Sequence, residues 1–149
     1  MSADRTYIAQ NDAERGRLRG LVGRLSDADL ARAMPAGWTV AGVLAHAAYW
    51  DAYAIHFLDQ WTITGEPTVY EPEDTDATND AAKPLCLALP PRLAAELSLR
   101  IAEEADGKVR ALSDAMLAKI RAKGPPPFNL SRGIHRKEHL DEIEAVLKG

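Results

Sequence analysis

Three histidines have the residue type and spacing to share one metal ion. His135 and His139 stand four apart in His135-Arg136-Lys137-Glu138-His139. On a helix such residues are neighbours, with Cβ atoms roughly 5–6 Å apart, so both rings reach one point in space. His46 ends the run Trp38-Thr39-Val40-Ala41-Gly42-Val43-Leu44-Ala45-His46 in a separate segment. Three imidazole donors leave coordination positions open, and open positions separate a catalytic metal site from a structural one. A cation bound there lowers the pKa of water to near 7, and it deprotonates a coordinated thiol. Imidazole suits zinc, nickel, copper and iron alike, so the donor set leaves the ion open.

Each histidine also has a plainer reading. At 3.6 residues per turn His46 lies about 40° from Trp50 and about 60° from Val43, on an apolar face. A lone histidine there is most often a hydrogen-bonded core residue. An i, i+4 histidine pair also arises on ordinary surfaces. His56, some 15 Å along the same helix from His46, reads as structural or exposed. The closing motif is not the zinc-protease signature, which needs a glutamate directly after its first histidine; Arg136 stands there.

Other groups are placed to line a site. Glu142 falls two helical turns beyond His135 and about 20° from it in angle, where it can orient a ligand or act as a base. Tyr53 holds the matching position beyond His46 and is the second candidate catalytic residue. Trp50, Asn11 and Arg15 are candidate substrate-binding residues, the last two because they interrupt the apolar stripe of the first helix. For Glu142, Tyr53, Asn11 and Arg15 the alternative is an ordinary residue outside the site. Cys86, the single cysteine, has no histidine or basic neighbour and reads as a buried, inert thiol.

The elements that must position these residues read as four long helical segments, with no convincing strand or repeat. The first covers residues 6–25, with Leu18, Leu21, Val22 and Leu25 at helical spacing. Ser26-Asp27-Ala28-Asp29 caps a short connecting helix ending near Met34-Pro35. Thr39 caps the second segment, residues 40–62, whose stripe is Val43, Ala47, Trp50, Ala54, Phe57 and Trp61. An acidic loop follows over residues 65–83, with a short helix over 77–89 as the alternative for its end; a loop of that length suits a lid or a mouth-lining role. Pro90-Pro91 opens the third segment, with Leu93, Leu97, Ile101, Ala105, Val109, Leu112, Met116 and Ile120 as its stripe and a bend or break at Asp106-Gly107. Gly124-Pro125-Pro126-Pro127 ends it. Ser131 or Asn129 caps the last, with Ile134, Leu140, Ile143, Val146 and Leu147 as its apolar face. Amphipathic helices joined by modest loops imply an all-α bundle with any site built from side chains on facing helices.

The bulk properties agree. The 149 residues suit one domain, 1–149, with 46% hydrophobic and 27% charged residues. A net charge of −4 argues against a nucleic-acid partner. The basic spots Arg15-Gly16-Arg17-Leu18-Arg19 and Arg132 with Arg136-Lys137 read as solvated helix face. One cysteine fits a reducing, cytoplasmic setting. No apolar run reaches the roughly 18 residues of a membrane span, and the start, Met1-Ser2-Ala3-Asp4-Arg5, lacks a leader pattern.

The tryptophan-led run to His46 and the run from His135 to Ile143 together resemble the DinB-like superfamily, which includes the YfiT-like and mycothiol-dependent maleylpyruvate isomerase-like proteins. The resemblance covers nearly the whole chain. It implies an up-down-down-up, left-handed four-helix bundle with one or two short connecting helices, often a homodimer, and a divalent ion such as zinc, nickel or iron on His46, His135 and His139. It also implies a range of activities. Some members are metal-dependent transferases using a low-molecular-weight thiol of the mycothiol or bacillithiol type, some are hydrolase-like, and one metal-independent branch confers resistance to a reactive cyclopropane. The leading expectation is therefore a thiol transferase or hydrolase acting on a small electrophile. The alternatives are a non-catalytic bundle that sequesters a small molecule or metal, and a structural or dimerisation module.

Overall fold

The computed structural model describes residues 4–149. Residues 1–3, part of the start read above for a leader, lie outside the described residues. Helix α1 runs Tyr7–Arg24. Ser26 then closes a reciprocal cap on α2, Asp27–Ala31: its Oγ accepts from the Asp29 backbone N–H and its own N–H donates to Asp29 Oδ2, both at 3.0 Å. This helix ends three residues before Met34. The chain next forms a short antiparallel ladder, β1 (Ala33–Met34) with β2 (Trp38–Thr39), which the sequence pattern does not announce. Pro35–Gly37 turns between the two strands, with Ala36 at φ 60° and Gly37 at φ 79°. Two successive left-handed residues fold the chain back on itself, which glycine does freely and alanine does not.

The longest helix, α3, runs Val40–Thr64. Thr39 Oγ1 accepts from the Gly42 N–H at 3.0 Å to cap it, and Gly65, at φ 73°, ends it. Helix α4, Thr75–Ala88, begins on Asp74, whose carboxylate accepts from the Ala77 N–H. The stretch over 65–83 is thus half loop and half helix. Helix α5, Pro91–Arg110, passes straight through Asp106-Gly107; the break falls instead at residues 111–113, where Ser113 caps α6, Asp114–Lys123. Helix α7 spans Arg132–Lys148. Three helices connect the four long ones, where one or two were expected.

Side-chain pairs fix the directions. Arg17 of α1 meets Asp141 and Glu144 of α7, and Asn11 meets Gly133, so α1 and α7 run parallel. Arg15 meets Asp106 while Arg92 reaches Val22 and Leu25, so α1 and α5 are antiparallel. His46 sits beside His139 and Asp51 beside Arg132, which makes α3 and α7 antiparallel. The result is an all-α up-down-down-up bundle. The parallel pair α3 and α5 needs a long return connection, and α4 supplies it.

The apolar core forms two clusters. One gathers Leu18, Leu21, Leu44, Leu140 and Ile143; the other gathers Leu58, Trp61, Val109, Leu117, Ile120 and Phe128. Between the clusters each of the four long helices contributes polar groups to the interior: Asn11 and Arg15, Asp51, Asp106, Arg132 and Arg136.

Two helices are rotated from the faces expected of them. On α5 the core takes the small residues Ala94, Ala95, Ser98, Ala102 and Ala105, while Leu93 is exposed and Leu97 and Ile101 are half-buried. Small residues let α3 and α5 approach closely, and Leu97 and Ile101 are left to line an apolar groove of about 240 Å³ beside Tyr49, Leu85 and Cys86. On α7, Ile134 is half exposed and Arg132 and Arg136 are buried in its place. No helix among the described residues is long and apolar enough to cross a membrane.

Candidate metal centre

The site begins with how α7 is held. Asn11 accepts from the Gly133 backbone N–H at 2.8 Å and donates to the Leu130 carbonyl at 3.0 Å, fixing the start of the helix. Arg132 Nε donates to Asp51 Oδ1 at 2.9 Å. Arg136 donates to both carboxylate oxygens of Asp106, at 3.0 and 3.1 Å, and to Asp51 Oδ2 at 3.2 Å. Arg15 adds a second guanidinium on Asp106 at 2.8 Å. The basic spots read as solvated are therefore corrected at Arg15, Arg132 and Arg136. Arg132 and Arg136 are 5% and 3% exposed because buried carboxylates on neighbouring helices neutralise them.

Arg132, His135, Arg136 and His139 stand at i, i+3, i+4 and i+7, one stripe of α7. The arginine anchors thereby aim both histidines at α3. His46 comes to meet them from one turn and a half before Asp51. Its ring centroid lies 5.3 Å from that of His135 and 4.8 Å from that of His139. Each histidine offers one ring nitrogen such that all three atoms lie within 4.8 Å of one another. His135 Nε2 and His139 Nε2 are 2.9 Å apart. Two nitrogens each about 2.1 Å from one ion and at a right angle to each other are separated by about 3 Å, so this spacing suits a shared ion.

Two further observations fit an ion. His46 is 8% exposed, and no hydrogen bond engages its ring among the described residues. The ring borders an open cavity, so its lone pair is free to meet a ligand. His139 Nδ1 lies 3.3 Å from Glu142 Oε2, the arrangement that turns a ligating nitrogen inward and fixes the tautomer. Burial, reinforced by the His139 ring, lowers the pKa of His46 to about 4. Burial first, then His139, His46 and the two arginines, lowers that of His135 to about 3. Both rings are neutral at pH 7, the form that binds a metal.

A cavity of about 390 Å³ opens beside His46 and His139. Trp38 and Val43 form its apolar wall, Asp76, Asn79 and Asp80 of α4 its rim, and Glu142 its α7 side. The segment expected to line a mouth does so through α4.

The other expected site residues stand further off. Trp50 does not line this cavity; its indole N–H donates to Asn79 Oδ1 at 2.8 Å and holds the rim in place. The Tyr53 hydroxyl donates to Glu73 Oε1 at 3.2 Å, its ring between those of Trp50 and Phe57. Asn11 and Arg15 face a polar interior, but one filled by Arg132, Arg136, Asp51 and Asp106. His56 is exposed and Cys86 is buried, its thiol pKa raised by that burial. Sequence reasoning passed over Asp51, Asp106, Asp76 and Asp80. The first two carried a signal, since a carboxylate inside an otherwise apolar helix face demands a buried partner.

An up-down-down-up helical bundle with three convergent histidines at one end of its polar layer is a protein that can hold a metal ion. The chain belongs to the DinB superfamily, whose family model matches residues 10–136. His46 and His135 fall inside the matched stretch and His139 three residues beyond it. No curated protein and no solved structure matches the chain.

Proposed function

We propose that His46, His135 and His139 hold a divalent cation as the working centre of an enzyme, and that the reaction is thiol transfer to, or hydrolysis of, a small electrophile. The observation that carries the reading is His46: buried, without a hydrogen-bond partner, and within 4.8 Å of two other imidazole nitrogens. Such an ion supplies Lewis acidity, which makes a thiolate or an activated water available at neutral pH.

The remaining work belongs to the chain. His46 and His139 line the cavity, so an ion they held together with His135 would be open to small molecules entering there. Glu142 accepts a hydrogen bond from Nδ1–H of His139 and so keeps the Nε2 lone pair turned inward; its carboxylate also lines the cavity, where it can take up a proton released by an incoming thiol or water. Trp38 and Val43 shield one flank from bulk solvent. Trp50 acts at one remove, through Asn79.

The test is metal content and turnover. Protein purified without an affinity metal column should carry close to one equivalent of a divalent ion, and His46→Ala should lose most of it. A His46→Ala variant with a full equivalent overturns the assignment. Metal retained with no turnover across a panel of thiols and electrophiles would favour the sequestering bundle instead.

A further inference from the structure

The cavity over the histidines is electrically one-sided. Asp76 and Asp80 stand on its α4 rim and Glu142 on its α7 side, and no lysine or arginine lines it. Neither aspartate makes an ion pair or side-chain hydrogen bond among the described residues, unlike most carboxylates of this chain. Lys83 stands close by, where it donates to the Ala36 carbonyl and lies 5.3 Å from the centroid of the Trp38 ring. Trp38 also lines the cavity, and tryptophan is the ring that holds cations best. His46, more than nine-tenths buried and unpartnered, marks the inner end.

Three carboxylates balance one divalent ion and the Lys83 ammonium, and a bound thiolate then leaves the cavity one negative charge in excess. We propose that this cavity selects small molecules carrying a positive charge, an ammonium or alkylammonium group, a few bonds from the atom that meets the histidines, and that it disfavours anions. The inference rests on the metal-centre reading and adds the substrate's charge class to it. Asp76 and Asp80, which no cation of the described residues neutralises, supply the preference.

Three thiols with one spacer and different charge test it: thiocholine (cation), 2-mercaptoethanol (neutral) and 2-mercaptoethanesulfonate (anion). The quaternary nitrogen of thiocholine cannot chelate, so its charge is read without a second metal bond. Affinities are measured by calorimetry on the zinc-loaded protein. The expected order is cation, neutral, anion, with roughly tenfold between the ends at low salt. The spread should shrink as ionic strength rises past about 0.1 M, where the screening length is about 10 Å. In Asp76→Asn/Asp80→Asn it should largely vanish. Equal affinities, the reverse order, or a preference untouched by the double substitution overturns the inference while leaving the metal centre standing. Protein that takes up no metal overturns the metal centre instead; the charge preference is then read on the metal-free protein from chemical-shift changes at Trp38 and His46 with the same three compounds, and its absence there overturns the inference too.

Discussion

Glu142 reaches back along α7 to place Oε2 3.3 Å from Nδ1 of His139, while His139 Nε2 faces His135 at 2.9 Å. The carboxylate thus sits on the far nitrogen of a candidate ligand, where it sets the tautomer and raises the basicity of the near one. Glu142→Ala should weaken metal binding by roughly 10–100-fold. Glu142→Gln, which keeps an acceptor but loses the charge, should fall between. Competition against a chelator of known affinity measures both. A Glu142→Ala protein that binds as tightly as the parent would remove Glu142 from the site.

Acid should destabilise the metal-free protein before its carboxylates titrate. The pKa of His46 is lowered to about 4 and that of His135 to about 3 in the fold, from an ordinary 6.5. Below 6.5 the unfolded chain therefore takes up protons that the folded chain excludes. The stabilisation is complete above that value and is lost as pH falls toward the folded values. Paired carboxylates such as Glu144 and Asp141 lie below their ordinary 4.5 and 3.8, so they lose their contribution only in stronger acid. Melting temperatures of chelator-treated protein should fall between pH 6.5 and 4.5, and less steeply in His135→Gln. A flat profile over that range would show the rings to be freely solvated.

The polar layer makes a separate prediction. Arg136 is 3% exposed and bridges Asp51 and Asp106, while its Nε has no partner. Arg136→Met leaves two buried carboxylates short of charge, and breaking one partner of such a cluster costs about 3–5 kcal/mol. Arg136→Lys keeps the charge but not the two-pronged geometry, and should lose less. Urea denaturation of the metal-free forms gives the numbers. A loss under about 1 kcal/mol for Arg136→Met would mean that solvent reaches the layer.

That layer also shows where a sequence stops being readable. The ends of α1, α2 and α3 are legible to within a few residues because Ser26, Thr39 and Gly65 act locally, through hydrogen bonds to residues three away or through their own φ. The histidine pair is legible for the same reason. The rotation of α5 and α7 is not, because it depends on which helix lies opposite. Leu93 and Ile134 extend a periodic stripe yet are about half exposed, while Ala94, Ala95 and Ser98 take the interior. Arg132 and Arg136 read as surface charge because their partner Asp51 is 81 and 85 residues away. Asp106-Gly107 reads as a break by local propensity; in the fold Asp106 is pinned by Arg15 and Arg136, and the helix continues.

Two glycines should respond in opposite directions to the same substitution. A Cβ on Gly133 would lie 2.8 Å from the Gln10 carbonyl oxygen and 3.0 Å from its carbonyl carbon, backbone atoms of α1 that cannot swing aside. Gly133→Ala must push α1 and α7 apart at the turn that carries His135. Overpacking of this kind costs about 1–3 kcal/mol, more than the roughly 1 kcal/mol alanine gains over glycine inside a helix. Gly107 is exposed within α5 and a Cβ there meets nothing within 4 Å. Gly107→Ala should therefore stabilise by up to about 1 kcal/mol. Thermal melts of the two metal-free variants separate these effects. Because Gly133 sits two residues from His135, its variant should also bind metal more weakly, whereas Gly107→Ala should bind it unchanged. Equal melting shifts for both would mean that α1 and α7 are not in the close contact on which the histidine geometry depends.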